Sequence, residues 1–136
     1  MKLIEDQSPP AATTRQFVAW ETAYKVEMPS DLLGLLQMAD GPLYEWPDKK
    51  FRIKIFGCQQ SCGIADSYHV SERCEGGIPL AQGDGYLAIY KKENDQISGI
   101  YVVPENDVTW SSAVYACMSL NDLLAAGKSL GEWYKR

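Results

Sequence analysis

The chain has 136 residues, 46% of them hydrophobic and 23% charged, with a formal net charge of −5 and a sequence pI of about 4.8. That length fits one domain with one core, and the composition is that of a globular protein rather than a disordered one. No apolar run approaches the ~20 residues that a bilayer crossing needs, and the acidic balance disfavours nucleic acid, whose phosphates repel it.

The first residues, MKLIEDQSPPAATT, lack the apolar run and cleavage site of a secretory signal, because acids follow after two apolar residues. A cytoplasmic protein is expected. SPPAATT offers little to pack, so residues 1–14 are expected as a flexible arm ahead of a single domain over 15–136. From Arg15 to Lys25, Phe17, Trp20 and Tyr24 recur at spacings of three and four, which predicts a short amphipathic helix that Thr14 caps.

MPSDLLGLLQMADG (28–41) writes a second helix. Pro29 suits the first turn, Asp31 lies near the positive end of the dipole, and Leu32, Leu35, Leu36 and Ala39 form an apolar stripe before Gly41 ends the helix. Gly34, costly inside a helix, reads as a point of close packing. PLYEWPDKK then reads as an exposed loop. In the next strand Phe51, Ile53 and Ile55 alternate with Arg52 and Lys54, so one face is buried.

Residues 57–77 are ambiguous, with a short helix in CGIADSYHVSE. A hairpin follows: IPLA as a strand, QGDG as a turn, YLAIYKK as a strand, ENDQ as a loop and ISGIYVV as the return, with Pro79 suggesting an edge position. VTWSSAVYA adds one or two further strands. Ser119 and Asp122 resemble a capping box for a helix whose Leu120, Leu123 and Leu124 face the core and which Gly127 stops. Ser129 and Glu132 repeat the box for a last helix carrying Leu130, Trp133 and Tyr134. The order predicts an α+β domain, a mainly antiparallel sheet packed against N-terminal and C-terminal helices. The expected core is Trp20, Leu32, Leu35, Leu36, Ile53, Ile55, Leu87, Ile89, Ile100, Val102, Leu120, Leu123 and Leu124.

Charge is unevenly distributed. Residues 21–48 carry six acids against Lys25, and residues 66–107 carry eight against Arg73, Lys91 and Lys92, so each stretch holds −5. Between them Lys49, Lys50, Arg52 and Lys54 make a basic run. Two such acidic stretches favour a basic protein partner.

Motifs for catalysis are weak. Gly83-Asp84-Gly85-Tyr86-Leu87-Ala88 matches a dinucleotide fingerprint in letters, but the alternation that follows is a strand, not the helix whose N-terminus would meet a pyrophosphate. Cys58 and Cys62 are separated by three residues, unlike a thioredoxin-type pair, and His69 is the only histidine. Three thiolates and an imidazole, Cys58, Cys62, Cys74 and His69, make a chemically sensible zinc set, and a small thiol or zinc enzyme is one alternative. The other reading is buried thiols acting as small apolar groups in a reducing compartment. Neither a nucleophile elbow nor a singled-out carboxylate pair is present, so no enzyme and no cofactor is expected.

The order of these residues resembles the SUKH superfamily, which includes fungal cell-wall assembly regulators and bacterial toxin-immunity domains. The similarity is carried by Met-Pro-Ser-Asp-Leu-Leu with Ala39-Asp40-Gly41, Trp20 ahead of it, IPLAQGDGYLAIY, SGIYVV and ACMSLNDLL, and spans about Phe17 to Ala125. It departs from the family at Cys58-Gln59-Gln60, where an acidic pair is common, and in its short final helix. The resemblance implies an α+β domain that binds proteins, most often an immunity protein neutralising a cognate toxin, with a scaffold or regulatory adaptor as the alternative. Aromatic anchors beside acids suit a basic partner, a toxin domain by this resemblance, so the expected contact residues are Tyr44, Glu45, Trp46 and Asp48 with Asp84 and Asp107.

Overall fold

A computed structural model describes residues 1–135. Its seven strands are β1 (Lys2–Leu3), β2 (Leu43–Trp46), β3 (Phe51–Ile55), β4 (Gly77–Gly83), β5 (Tyr86–Glu93), β6 (Gln96–Pro104) and β7 (Val114–Cys117). They form one antiparallel sheet in which every strand lies beside its neighbour in the chain. Helices α1 (Thr14–Tyr24) and α2 (Ser30–Leu36) precede β2, α3 (Cys58–Ser67) and α4 (Val70–Arg73) join β3 to β4, and α5 (Leu120–Ala125) and α6 (Leu130–Lys135) follow β7. The architecture is α+β, as the order of patterns predicts.

The helices form where side chains satisfy their free ends. Thr13, one residue before the expected cap, accepts from the Gln16 amide while the Gln16 side chain accepts from the Thr13 amide, a reciprocal box of the kind that contributes ~1 kcal/mol. Ser129 and Glu132 make the same exchange at α6, and Ser119 accepts from the Asp122 amide at α5. Pro29 precedes α2 as its cap rather than opening it, and the helix stops at Leu36, short of Asp40-Gly41. Gly34 has open space where a Cβ would be, so it does not mark close packing.

Alternation along the strands divides the core between the two faces of the sheet. On one face Trp20, Leu32, Leu36, Leu120, Leu123, Leu130 and Trp133 from the helices pack on Ile53, Ile55, Ala88, Tyr90, Ile100 and Val102. On the other, Leu87, Ile89 and Val103 are covered by Phe56, Val70, Cys74 and Val108. Leu35, expected in the core, is only partly buried at its margin.

Three expectations are corrected. Residues 1–14 are tied to the domain: β1 pairs with β2, the Ile4 amide donates to the Leu43 carbonyl at 2.8 Å, and the Ala12 amide to the Leu36 carbonyl at 2.8 Å. PLYEWPDKK is an exposed turn only over residues 47–50; its first half is strand β2, in which Tyr44 and Trp46 point to the buried face and pair with Ile53 and Phe51. Pro79 lies on an interior strand. It is tolerated there because the β3 pairing is recorded at Ala81 and Gln82, beyond it, and because the β5 register shifts between Pro79 and Ala81.

Candidate protein-binding face

The second face of the sheet is covered over only half its width. Over β5 and β6, apolar residues are roofed by α4 and by the turn at Trp110–Ser112, with the Lys91 ammonium 5.1 Å from the Trp110 ring and 5.4 Å from that of Tyr101. Over β2 and β3, and the end of β4, the same face is open and forms a groove of about 720 Å³ lined by both acids and bases.

Register fixes what the groove presents, since directly paired residues share a face. Lys2 pairs with Glu45 and Glu45 with Arg52, while Leu43 pairs with Lys54 and Lys54 with Gln82. The Arg52 guanidinium donates to the Glu45 carboxylate, with nitrogens 3.0 Å from its Oε2, and both side chains keep solvent contact (53% and 23% exposed). Such an exposed pair contributes only ~0.2–1 kcal/mol to stability. Asp84 and Glu105 close the far side and Pro47 and Lys50 the near side. Asp84 and Gly85 both have positive φ (55° and 81°), the geometry of a tight hairpin turn, which projects the Asp84 carboxylate to solvent.

At the upper end of the groove the chain is fastened by polar contacts across the sequence. Asp40 Oδ1 accepts from the Cys58 amide at 2.8 Å and so caps α3 from outside it, while the Lys54 ammonium donates to the Gly41 carbonyl. Partial burial lowers the Lys54 pKa, and the Asp40 charge opposes that shift. The Asp-Gly of the motif is thus a fastening rather than a contact residue. Asp31 does the same for α5, its Oδ2 accepting from the Asn121 amide at 3.1 Å.

Of the six expected contact residues, the structure keeps three near the groove. Glu45 and Asp84 line it, and Asp48 is exposed in the turn between Pro47 and Lys50. Tyr44 and Trp46 are withdrawn from any partner: they are 8% and 5% exposed, and Trp46 stacks on Phe51 at 4.6 Å. Asp107 is engaged elsewhere, accepting from the hydroxyls of Ser112 and Thr109 to hold the turn over the covered half. Sequence reasoning missed Arg52, Lys54, Gln82 and Glu105. The polar alternation of Arg52 and Lys54 was a signal that β3 has one solvent face, but which other strands would share it is a matter of topology.

The cysteines do not converge. Cys58 and Cys74 are buried in different clusters, and burial, aided for Cys58 by the Asp40 charge and for Cys74 by the Asp107 charge, pushes their thiols up to about 12 and about 11. Cys62 is half-buried and His69 is exposed in a left-handed backbone conformation. Among the described residues no group of three or more His, Cys, Asp and Glu side chains is placed to hold a metal. A smaller cavity of about 380 Å³ lies between α1, α3 and the start of β4, where the Ser61 hydroxyl donates to the Pro79 carbonyl at 2.7 Å and sits 2.9 Å from the Tyr24 hydroxyl. The phenol of Tyr24 is raised by burial. Lys92 donates to the Tyr24 carbonyl at 2.8 Å, so these groups join α1 to the sheet.

Compared with protein-family models and with curated proteins, the chain matches none. No helix among the described residues is long and apolar enough to cross a membrane.

Proposed function

We propose that the protein is a protein-binding domain of the toxin-immunity type, and that its partner docks on the open half of the second sheet face. The observation that carries this is the division of one face: where the fold needs cover, the strands present Leu87, Ile89 and Val103, and where it has none they present Glu45, Arg52, Lys54 and Gln82. A broad, open, polar surface suits a protein better than a small molecule, which favours an enclosed apolar pocket. The net charge of −5 steers a basic partner at long range, while the groove itself balances Lys50, Arg52 and Lys54 against Glu45, Asp84 and Glu105, and the similarity of the motif order to the SUKH superfamily supports a toxin as that partner.

Co-expression with a toxin domain, sought first in the neighbouring genes, tests the reading. The expected result is restored growth and a complex stable to gel filtration, weakened at least tenfold by Arg52→Glu combined with Gln82→Arg while the isolated domain melts as before. Growth inhibition that persists with both proteins folded and soluble overturns it.

A further inference from the structure

The chain contains two Asp-Gly pairs, Asp40-Gly41 and Asp84-Gly85, and the fold holds them differently. An aspartate followed by glycine is prone to close a five-membered imide, because no side chain shields the glycine nitrogen from the carboxyl carbon before it. Closure needs a free carboxyl, a free glycine amide, and a rotation about the aspartate Cα–C bond that brings Cβ into line with that amide nitrogen. For an L residue this last condition is a ψ of about −120°, the value at the first central residue of a type II′ turn.

Asp40-Gly41 meets none of these conditions. Oδ1 of Asp40 accepts from the Cys58 amide at 2.8 Å, and the Gly41 amide donates to the Ala39 carbonyl at 2.9 Å. The peptide between the two residues has no room to turn, since α3 begins against it: a Cβ on Gly57 would lie 2.4 Å from the Asp40 carbonyl oxygen. The Lys54 ammonium holds the next carbonyl, that of Gly41.

Asp84-Gly85 is free in each respect. Both residues are exposed, and among the described residues neither the Asp84 carboxylate nor the Gly85 amide has a hydrogen-bond partner. Asp84 stands between two openings, the groove of about 720 Å³ and a second of about 590 Å³ against α6, so water has access from both sides. Nothing lies within 4 Å of a Cβ position on Gly85. The φ values of 55° and 81° are those of a type I′ turn. Passage to type II′ leaves the φ of Asp84 where it is and reverses only that of Gly85, which glycine tolerates. The Gly85 carbonyl, which accepts from the Glu105 amide at 3.0 Å, belongs to the following peptide and does not have to turn.

We propose that Asp84 is a site of spontaneous isomerisation to isoaspartate, and that the fold protects Asp40 from the same reaction. The Gly85 nitrogen attacks Cγ of Asp84 as it loses its proton, the Cγ–OH bond of the protonated carboxyl breaks, and one water leaves. The imide then takes up one water. Attack at Cγ restores aspartate, whereas attack at the former backbone carbonyl leaves the chain linked through Cβ and Cγ with the α-carboxylate free. Mass is unchanged, but the two-residue loop gains one backbone carbon and the carboxylate at the rim of the groove moves. The reaction is independent of what docks on the groove.

Ageing the full-length protein at neutral pH and body temperature tests this, with isoaspartate located by peptide mapping and electron-transfer fragmentation. A parallel sample kept unfolded in guanidinium sets the duration, since incubation continues until it carries isoaspartate at both Asp40 and Asp84. In the folded protein the level at Asp84 is expected to exceed that at Asp40 at least tenfold, whereas in the unfolded chain the two stay within threefold. Asp84→Glu, which keeps the charge but would have to close a six-membered ring, is expected to remove the folded-state signal. A folded-state ratio no greater than that of the unfolded chain overturns the proposal, as does the absence of isoaspartate at Asp84 in the folded protein.

Discussion

Ile89 and Arg52 project from the same face of the same sheet, yet one is fully buried and the other exposed. The difference comes from what lies over each half. Phe56, Val70 and Cys74 around α4, with Val108 and Trp110 after β6, cover the β5 and β6 side, so half of the face becomes a second core and half stays open. Composition followed that division strand by strand. Across one row, Leu43, Lys54, Gln82, Leu87 and Val103 are successive partners, and polarity gives way to full burial between Gln82 and Leu87. On the proposed reading, a face that is part core and part contact surface lets a sheet of this size bind without weakening the fold, because the two tasks use different columns of side chains.

The sharpest way to break the comparison is to truncate one residue in each half and one behind the open half. Ile89→Ala should cost ~2–5 kcal/mol and Trp46→Ala ~3–5 kcal/mol, since both leave cavities, whereas Arg52→Ala should stay within ~1 kcal/mol. Urea unfolding measures all three. A loss near zero for Trp46→Ala would return that ring to the surface and to the partner.

Asp40 fixes the start of α3 from outside it. Asp40→Ala removes a charged acceptor from the Cys58 amide and should cost ~1.5–3 kcal/mol. Amide exchange in the first turn of α3 should quicken at the same time, and unchanged protection there would show that the cap is dispensable.

The buried thiols of the two cores predict a pH dependence. Cys58 and Cys74 have folded pKa values of about 12 and about 11, against ~8.5 when unfolded. Above that lower value the unfolded chain loses thiol protons that the folded chain keeps, so stability present at neutral pH declines as pH rises toward 11. Cys58→Ala with Cys74→Ala should flatten the fall in urea midpoint between pH 8 and 10. An identical slope in the double variant would assign the fall to other groups.

Gly34, on neither half, gives the smallest effect and a control. With open space at its Cβ position, Gly34→Ala should stabilise by up to ~1 kcal/mol, read as a rise in melting temperature. A loss would mean that α2 has a neighbour there.

Much of this fold is legible in the chain because its signals are local. Phe17, Trp20 and Tyr24 mark α1 by spacing, Arg52 and Lys54 mark the outer face of β3 by alternation, and Ser119 and Ser129 announce their helices with their own partners three residues on. Strand β2 is obscured by the prolines on either side of it, and its pattern Leu-Tyr-Glu-Trp hides a buried face behind residues that also suit a contact loop. The site is less legible still. Arg52, Gln82 and Asp84 meet only through the pairing of β3 with β4, and the groove exists because no later segment covers it, which no window of sequence records. Tyr44 and Trp46 read as contact residues for the same reason: an aromatic beside an acid has one appearance in sequence and two destinations in a sheet.

The strict chain order of the sheet also has a consequence for synthesis. Each strand from β2 onward has its partner already made when it emerges, so the ladder can be laid down in the direction of translation with short loop closures. The roof over the first face is laid in two parts: Trp20, Leu32 and Leu36 precede the sheet, but Leu120, Leu123, Leu130 and Trp133 arrive after the last strand. A nascent chain paused near β7 therefore presents a paired sheet whose apolar side has only α1 and α2 for cover, the stage at which exposed apolar surface most favours chaperone binding.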